Sequence, residues 1–317
     1  MIVSDGSQWP VARGLAERLV GRTDASVRVV LMYGSRLLQT NPDRHSAVDF
    51  VVIVDDYRHF YSGLANAEEL HRPVGLMTTL AEVLAPNVLA YAPNDGRDGM
   101  AKCLVVDKKD FARALSTEPP DHFLLGRMVQ MVGVIWAVDP AEEAWVRDQI
   151  DGACLRVLDW MAPYLDGPFD AAVLGCRLLE VCYAGELRPE SKGRAGRVFE
   201  AQAEHFSVAL APALAAAVAD GVLKQVPTGY VLTNPVPARR RRRWRRHFRR
   251  SMARTTLRWI KHTVTFANWL PYVVRKTERH TGRTIQLTPL ERKLPLLFLW
   301  PRVITILLTR PRRELDP

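Results

Sequence analysis

Short apolar runs, each followed by a glycine or a polar loop, mark the N-terminal third of the chain. β-Branched residues dominate these runs, and that composition is typical of buried strands. A helix is predicted before the first run, at residues 11–19. The predicted strands are residues 27–32, 48–54, 88–91 and 102–106.

Apolar residues recur at intervals of three and four in the middle of the chain, which favours helices there. We therefore predict that residues 121–187 are mainly helical. The apolar residues at this spacing include Leu124, Met128, Met131 and Ile135. After this region, residues 222–226 and 230–233 flank a Pro-Thr-Gly turn, which predicts a short hairpin like the wing of a winged-helix module.

These patterns divide the chain into three parts. We predict an α+β domain at residues 1–120, a helical, winged-helix-like domain at residues 121–237 and a basic helical tail at residues 238–317. Pro235 and Pro237 mark the boundary in front of the tail, because proline interrupts regular structure.

The tail differs from the rest of the chain in its charge. The whole chain carries 44 Lys and Arg against 34 Asp and Glu, a net charge of +10. Residues 239–317 hold 22 basic against 4 acidic residues, or +18, which leaves residues 1–238 with 22 − 30 = −8. A cationic block of this density attracts polyanions, meaning nucleic acid or anionic lipid.

The start of the tail also carries apolar residues among its arginines. Nine arginines fall within residues 239–250, and apolar residues continue at nearly helical spacing beyond them. A basic helix with an aromatic apolar side is typical of helices that lie in the plane of a membrane, although arginine runs with aromatics also bind RNA. The residues of the predicted apolar stripe are Trp244, Phe248, Met252, Trp259, Phe266 and Leu270.

Membrane contact is expected to be peripheral. The longest apolar stretch, residues 294–308, is interrupted by Pro295, Pro301 and Arg302, so no spanning helix is predicted. No basic-then-apolar signal segment is recognised at the N-terminus. The four cysteines show no metal-ligand spacing, which favours buried thiols in a reducing compartment. These features predict a peripheral protein at the cytoplasmic face of a membrane.

Polar residues at the ends of the first two strands carry the candidate chemistry. The first strand ends at Gly34-Ser35, and Asp49 lies on the next strand. A glycine turn lets backbone amides approach a triphosphate, and a serine adds a hydroxyl donor. A strand carboxylate can hold the Mg²⁺ that neutralises a leaving pyrophosphate. This layout resembles that of polymerase-β-like nucleotidyltransferases, although a turn followed by a surface aspartate would give the same short pattern.

A second metal ligand is expected beyond Asp49. Nucleotidyltransferases of this type usually place another carboxylate two residues on, where this chain has Val51. Strand alternation puts Asp49, Val51, Ile53 and Asp55 on one face. We therefore predict that Asp55 or Asp56 supplies the second ligand.

A wider resemblance extends over most of the chain. Tyr33-Gly34-Ser35 with Gln39, followed by an Asp-Phe strand that closes on Val-Asp-Asp at residue 56, is similar to the mitochondrial translocator assembly and maintenance family. Members of that family are peripheral CDP-diacylglycerol synthases. The further matching segments are residues 88–91, 101–105, 125–128, 182–188 and 258–265.

The resemblance implies a reaction and a set of site residues. The implied reaction is Mg²⁺-dependent transfer of CMP from CTP to phosphatidic acid, with release of pyrophosphate, at an anionic membrane surface. Asp49 and Lys102 would be catalytic, and the implied metal ligands are Asp49, Asp55 and Asp56. The implied nucleotide-binding residues are Tyr33, Gly34, Ser35, Gln39, Lys102 and Arg127. Those implied for the substrate phosphate are Tyr183, Arg188, Arg258 and Lys261.

Two other classes of function remain open at this point. The chain could transfer nucleotides to RNA, a protein or a small molecule that the basic tail grips. It could also be an inactive member of the same fold that serves as a membrane or RNA adaptor, which a missing second carboxylate would favour. A lipid-phosphate substrate favours the membrane over nucleic acid as the partner of the tail.

Overall fold

A five-stranded mixed sheet lies at the centre of the α+β fold. The computed structural model describes residues 8–23, 25–39, 47–93, 99–185 and 193–266. The strand order is β3-β4-β2-β1-β5, in which β2 and β4 are parallel and the other neighbours are antiparallel. The strands are β1 (Val27–Tyr33), β2 (Val48–Val54), β3 (Asn87–Tyr91), β4 (Ala101–Asp107) and β5 (Val132–Ala137).

The four strands predicted from the sequence are confirmed, and residues 121–187 are mainly helical where the structure describes them, but one segment of this region is a strand. Val132–Ala137 forms β5, which pairs with β1 at the edge of the sheet. Met131 and Ile135 therefore belong to a strand and its approach rather than to the helix that carries Leu124 and Met128. A short apolar run fits either period, and here its β-branched residues complete the sheet.

Helices cover both faces of the sheet. One face packs against the helices that precede β3, and the other packs against helices between β4 and the hairpin. The helices in chain order are α1 (Pro10–Gly21), α2 (Tyr57–Asn66), α3 (Val74–Val83), α4 (Lys108–Ala114), α5 (His122–Met128), α6 (Pro140–Leu155), α7 (Val157–Met161), α8 (Ala171–Ala184), α9 (Arg194–Glu200), α10 (Ala203–Ala219) and α11 (Ala238–Thr265).

The central strand β2 is apolar along its length except for one acidic residue, because both of its faces are covered. Phe50 and Val52 contribute to the core beneath α1 and α2, while Val51 and Ile53 contribute to the core on the opposite face. A strand covered on both faces is continuously apolar rather than alternating. Asp49 is the one polar residue within Val48–Val54, so its position near the strand's start is conspicuous.

Close helix packing and a hairpin organise the middle of the chain. A Cβ atom at Gly126 would lie 2.7 Å from Cys182 Cβ, so only glycine allows α5 to approach α8 this closely. The predicted hairpin is confirmed as β6 (Leu223–Val226) and β7 (Gly229–Leu232), and Phe169 bridges to Tyr230 beside it.

The described part of the basic tail is a 28-residue helix, α11, that packs against the body. Trp244 is buried in the same core as α5 and α8, and Phe248 packs against that core. Ser251 Oγ accepts a 2.9 Å hydrogen bond from the backbone N–H of His122. The expected apolar stripe is therefore not a free membrane-facing surface, since its N-terminal aromatics face the body. Leu270 lies outside the described residues, whereas Met252 is 41% exposed.

Within the described residues, no helix is both long and apolar enough to cross a membrane.

Candidate active site

Three adjacent strands bring Tyr33, Asp49 and Lys102 into one row. Asp49 on β2 pairs with Tyr33 on antiparallel β1 and with Lys102 on parallel β4. Residues directly opposite each other in a sheet point to the same face, with Cβ atoms about 5 Å apart. All three side chains are partly buried, at the end of the sheet where β1 terminates.

The turn after β1 lies against the Asp49 carboxylate. Gly34 has a φ of 83°, a left-handed conformation that glycine adopts without strain. A Cβ atom at this position would lie 3.1 Å from Asp49 Oδ2. The turn therefore brings its backbone next to the Asp49 carboxylate, and its role in binding phosphate stays a prediction. Ser35 follows within the turn and is partly buried, while Gln39 is exposed and has a φ of 52°.

Arg127 extends the row from α5. Its side chain is 7% exposed, and its guanidinium carbon lies 6.0 Å from the centre of the Tyr33 ring. The same carbon lies 3.8 Å from the centre of the Phe123 ring, and Arg127 donates a hydrogen bond to the Phe123 carbonyl. Two aromatic contacts and a backbone carbonyl thus orient a buried cation beside the Asp49 row.

The Phe123 ring also contacts two side chains of α11, Arg258 and His262. The guanidinium carbon of Arg258 lies 4.5 Å from the ring centre, and the His262 ring centre lies 6.0 Å away. Burial lowers the pKa of His262 well below its usual value, and the charges of Lys261, Lys102, Arg258 and Arg127 lower it further. His262 is therefore neutral at pH 7, and positive groups of β4 and α5 lie within electrostatic range of it.

A chain of polar side chains continues from α5 towards α8 and α10. Tyr183 donates a 3.2 Å hydrogen bond to Gln130 Oε1, and Gln202 Nε2 lies 3.3 Å from the same oxygen. Gln202 Oε1 in turn accepts from the Met131 N–H at 2.9 Å. Tyr183 was expected to contact a substrate phosphate. In the structure it belongs to this network through Gln130, which lies three residues along the chain from Arg127.

Asp55 and Asp56 lie at the opposite end of β2 from Asp49. Six residues of strand span about 20 Å, so one ion cannot be coordinated by Asp49 and by either of them. Asp55 is exposed and pairs with Arg28, and Asp56 caps α2 by accepting a 2.8 Å hydrogen bond from the His59 N–H. The structure therefore does not bring the predicted metal ligands together. Alternation along the strand was correct, but distance along it separates the acids.

Arg258 and Lys261 hold α11 against the body. Arg258 donates to the Ala85 carbonyl at 2.7 Å and to Asp121 Oδ2 at 2.8 Å. Lys261 Nζ donates to the carbonyls of Pro86 at 2.8 Å and Leu80 at 3.2 Å, and it also contacts the Leu84 carbonyl. Both side chains therefore make structural contacts here, and their expected role at a substrate phosphate stays a prediction. Arg188, expected beside them, lies outside the described residues.

No protein-family model matches the chain, and a comparison with curated proteins returns no significant match. The chemical interpretation therefore depends on the geometry of the site and on the resemblance of its motifs.

The groups around Asp49 are of the chemical kinds that hold a metal–phosphate complex in other proteins. Mg²⁺ commonly uses one or two carboxylates and takes its remaining ligands from substrate phosphates and water. Asp49 beside the Gly34 turn fits a site with one protein carboxylate, and Lys102 and Arg127 add positive charge. Among the residues that the structure describes, no group of three or more His, Cys, Asp or Glu side chains is placed to hold a metal ion.

Sequence reasoning missed several residues of this region. Phe123 and His262 are single residues on helices, Gln130 and Gln202 lie just outside helix ends, and none of the four belongs to a local motif that would single it out. Asp121 could have signalled that a helix begins there, since it precedes a helical run and caps α5 through the Phe123 N–H at 3.0 Å.

A small cavity lies further along β4, away from Asp49. Its lining includes Val106, Asp110, Asp121, Arg254 and Arg258.

Proposed function

We propose that this protein is a nucleotidyltransferase that transfers CMP from CTP to the phosphate of phosphatidic acid. The observation that supports this most is the Asp49 carboxylate, held between the Gly34 turn and Lys102 with Arg127 nearby. A carboxylate for Mg²⁺, a backbone turn for phosphate and two cations are what nucleotidyl transfer requires. The similarity of the flanking motifs to CDP-diacylglycerol synthases supports CTP and a lipid phosphate as substrates.

In the proposed reaction a phosphate oxygen of phosphatidic acid attacks the α-phosphorus of CTP. The bond between that phosphorus and the oxygen bridging to the β-phosphorus breaks, and pyrophosphate leaves with the electron pair. The attacking oxygen is already anionic at neutral pH, so the protein positions the groups and neutralises charge instead of supplying a strong base. Mg²⁺ bound by Asp49 would neutralise the phosphates. Lys102 and Arg127 would hold the triphosphate.

The exposed side of α11 supports a membrane location for this reaction. Several of its arginines point away from the body, and each basic residue near an anionic surface contributes roughly 1 kcal/mol of binding. These exposed arginines include Arg239, Arg242, Arg246, Arg249 and Arg250. The same side could bind RNA, and this alternative belongs in the test.

The test supplies the purified chain with Mg²⁺ and CTP labelled at the α-phosphate. One reaction contains vesicles with phosphatidic acid, and a parallel reaction contains bulk RNA. The expected result is labelled CDP-diacylglycerol in the first reaction only. Label in RNA would favour the alternative substrate, and label in neither product would contradict the proposed function.

A further inference from the structure

His262 lies on the side of α11 that faces the candidate active site. Its Nε2 atom is inaccessible to solvent and has no hydrogen-bond partner, although the residue as a whole is only partly buried. A buried ring nitrogen without a partner is unfavourable, so it is uncommon unless a ligand or water completes it. The ring is fixed in place by contact with Phe123.

The surroundings of His262 indicate the chemistry of the missing partner. Lys102 on β4, Arg127 on α5 and Arg258 on α11 act electrostatically on the ring. Burial lowers the pKa of the neighbouring Lys261 to about 6, so Lys261 is largely neutral at pH 7 and is not one of these charges. Arg127 shares the Phe123 ring with His262 and also contacts Tyr33, the neighbour of Asp49 in the sheet. Positive charges from three elements therefore converge at a neutral imidazole. Such a place suits an anion with several oxygens.

We propose that His262 Nε2–H donates a hydrogen bond to the triphosphate of the nucleotide bound between Lys102 and Arg127. His262 is then a nucleotide-binding residue, and α11 contributes to the active site as well as to a surface. The inference rests on the CTP half of the proposed function and does not depend on the acceptor. A neutral imidazole adds a directional donor without adding repulsion to the neighbouring cations.

Direct binding of CTP in the presence of Mg²⁺ tests the inference without turnover. His262→Leu removes the donor and puts an apolar side chain of similar bulk in its place, while His262→Gln keeps an N–H donor at a similar reach. A hydrogen bond to a charged phosphate predicts that His262→Leu weakens CTP binding about tenfold, and that His262→Gln retains most of the affinity. Calorimetry with the full chain measures both.

His247→Leu is the matched control. His247 lies on the same helix about 22 Å away, also carries a buried Nε2 without a partner, and contacts Trp244 instead of the site. It is expected to bind CTP as the wild type does. Equal loss of CTP affinity in His247→Leu and His262→Leu would show that the loss comes from disturbed packing of α11, and this would overturn the inference.

A second measurement needs no folded variant of His262→Leu. The imidazole nitrogen signals of His262 in the wild-type chain, assigned with His262→Gln, should shift when Mg²⁺ and CTP are added. Unchanged signals at saturating CTP overturn the inference, as does wild-type affinity in His262→Leu. If CTP binds through His262 but phosphatidic acid accepts no CMP, the proposed acceptor fails while this inference stands.

Discussion

Arg258 of α11 and Asp121 at the start of α5 form a 2.8 Å ion pair in which the side chains are only 1% and 4% exposed. The Arg258 cation lowers the pKa of Asp121 in opposition to burial, and hydrogen bonds from Arg258, Arg254 and Phe123 act in the same direction. This pair attaches the basic helix to the element that also carries Phe123 and Arg127. The position of α11 and the position of Arg127, the arginine of the candidate site, are thus coupled.

Breaking this pair is expected to destabilise the whole chain. Arg258→Met leaves Asp121 as a buried charge without its main partner, and such changes cost about 3–5 kcal/mol. Urea denaturation followed by circular dichroism measures the loss. Arg243→Ala, which removes an exposed pair with Glu118, is the control and should change stability by less than about 1 kcal/mol. Similar losses in both variants would contradict a special role for the buried pair.

Asp49→Asn is expected to abolish CMP transfer and leave the fold intact. The substitution removes the carboxylate proposed to hold Mg²⁺, and a bound metal ion of this kind contributes several kcal/mol to stabilising the transition state. The matched control is Asp55→Asn on the end of the same strand, which the geometry places about 20 Å away. We expect that control to keep most of the turnover. If Asp49→Asn retained more than a tenth of wild-type activity, or Asp55→Asn were as damaging, this assignment of the site would be wrong.

Gly34→Ala is expected to weaken CTP binding more than it lowers stability. The substitution strains a backbone with a φ of 83° and places a methyl group 3.1 Å from Asp49 Oδ2. Backbone strain of this kind costs about 1–3 kcal/mol, and the turn must shift away from the acid. Gly21→Ala is the control, because no atom lies within 4 Å of its added Cβ. Unchanged CTP affinity in Gly34→Ala would remove the turn from the site.

Charge reversal on the exposed side of α11 is expected to release the protein from anionic vesicles. The variant converts Arg239, Arg242, Arg246, Arg249 and Arg250 to Glu, and a matched variant converts them to Lys. Co-sedimentation should fall for the Glu variant alone, and wild-type binding should weaken as salt rises. Tight RNA binding without lipid-dependent sedimentation would contradict the membrane assignment.

Removing the whole helix is a less informative experiment. On the membrane proposal, truncation at Pro237 should release the body from vesicles, but it would also remove the contacts of Arg258 and Lys261 with the body. The structure shows that truncation removes Trp244 from the core and takes Arg258 away from Asp121. We therefore expect the truncated chain to lose stability, so loss of vesicle binding by it would not identify a membrane-binding surface.

Stability is expected to fall in acid partly because of His205. Burial lowers the pKa of His205 to about 4, below its usual value of 6.5. Between these values the unfolded chain binds a proton that the folded chain does not, so stability decreases as the pH falls from 6.5 to 4. The contribution is on the order of 3 kcal/mol. His205→Gln should show a smaller acid-dependent loss in urea denaturation, and an equal loss would contradict the assignment.

Residues near one another in sequence account for the features that were predicted correctly. The apolar runs define β1, β2, β3 and β4 because a strand buried on both faces must be apolar along its length. Gly34 ends β1 at a turn that favours glycine, and Asp49 is the one acid in an apolar strand. These are local constraints, so the sequence by itself was sufficient to determine that part of the candidate site.

Tertiary structure alone decided which distant residues join or leave that site. Arg258 pairs with an acid 137 positions away, and His262 reaches Phe123 only because α11 folds back onto the body. Asp55 has the right alternation but lies too far along β2 to share an ion with Asp49. The run that forms β5 fits a strand or a helix until β1 offers an unpaired edge. Periodicity specifies which face of a helix or strand a residue occupies, whereas packing between elements decides which other residues contact that face.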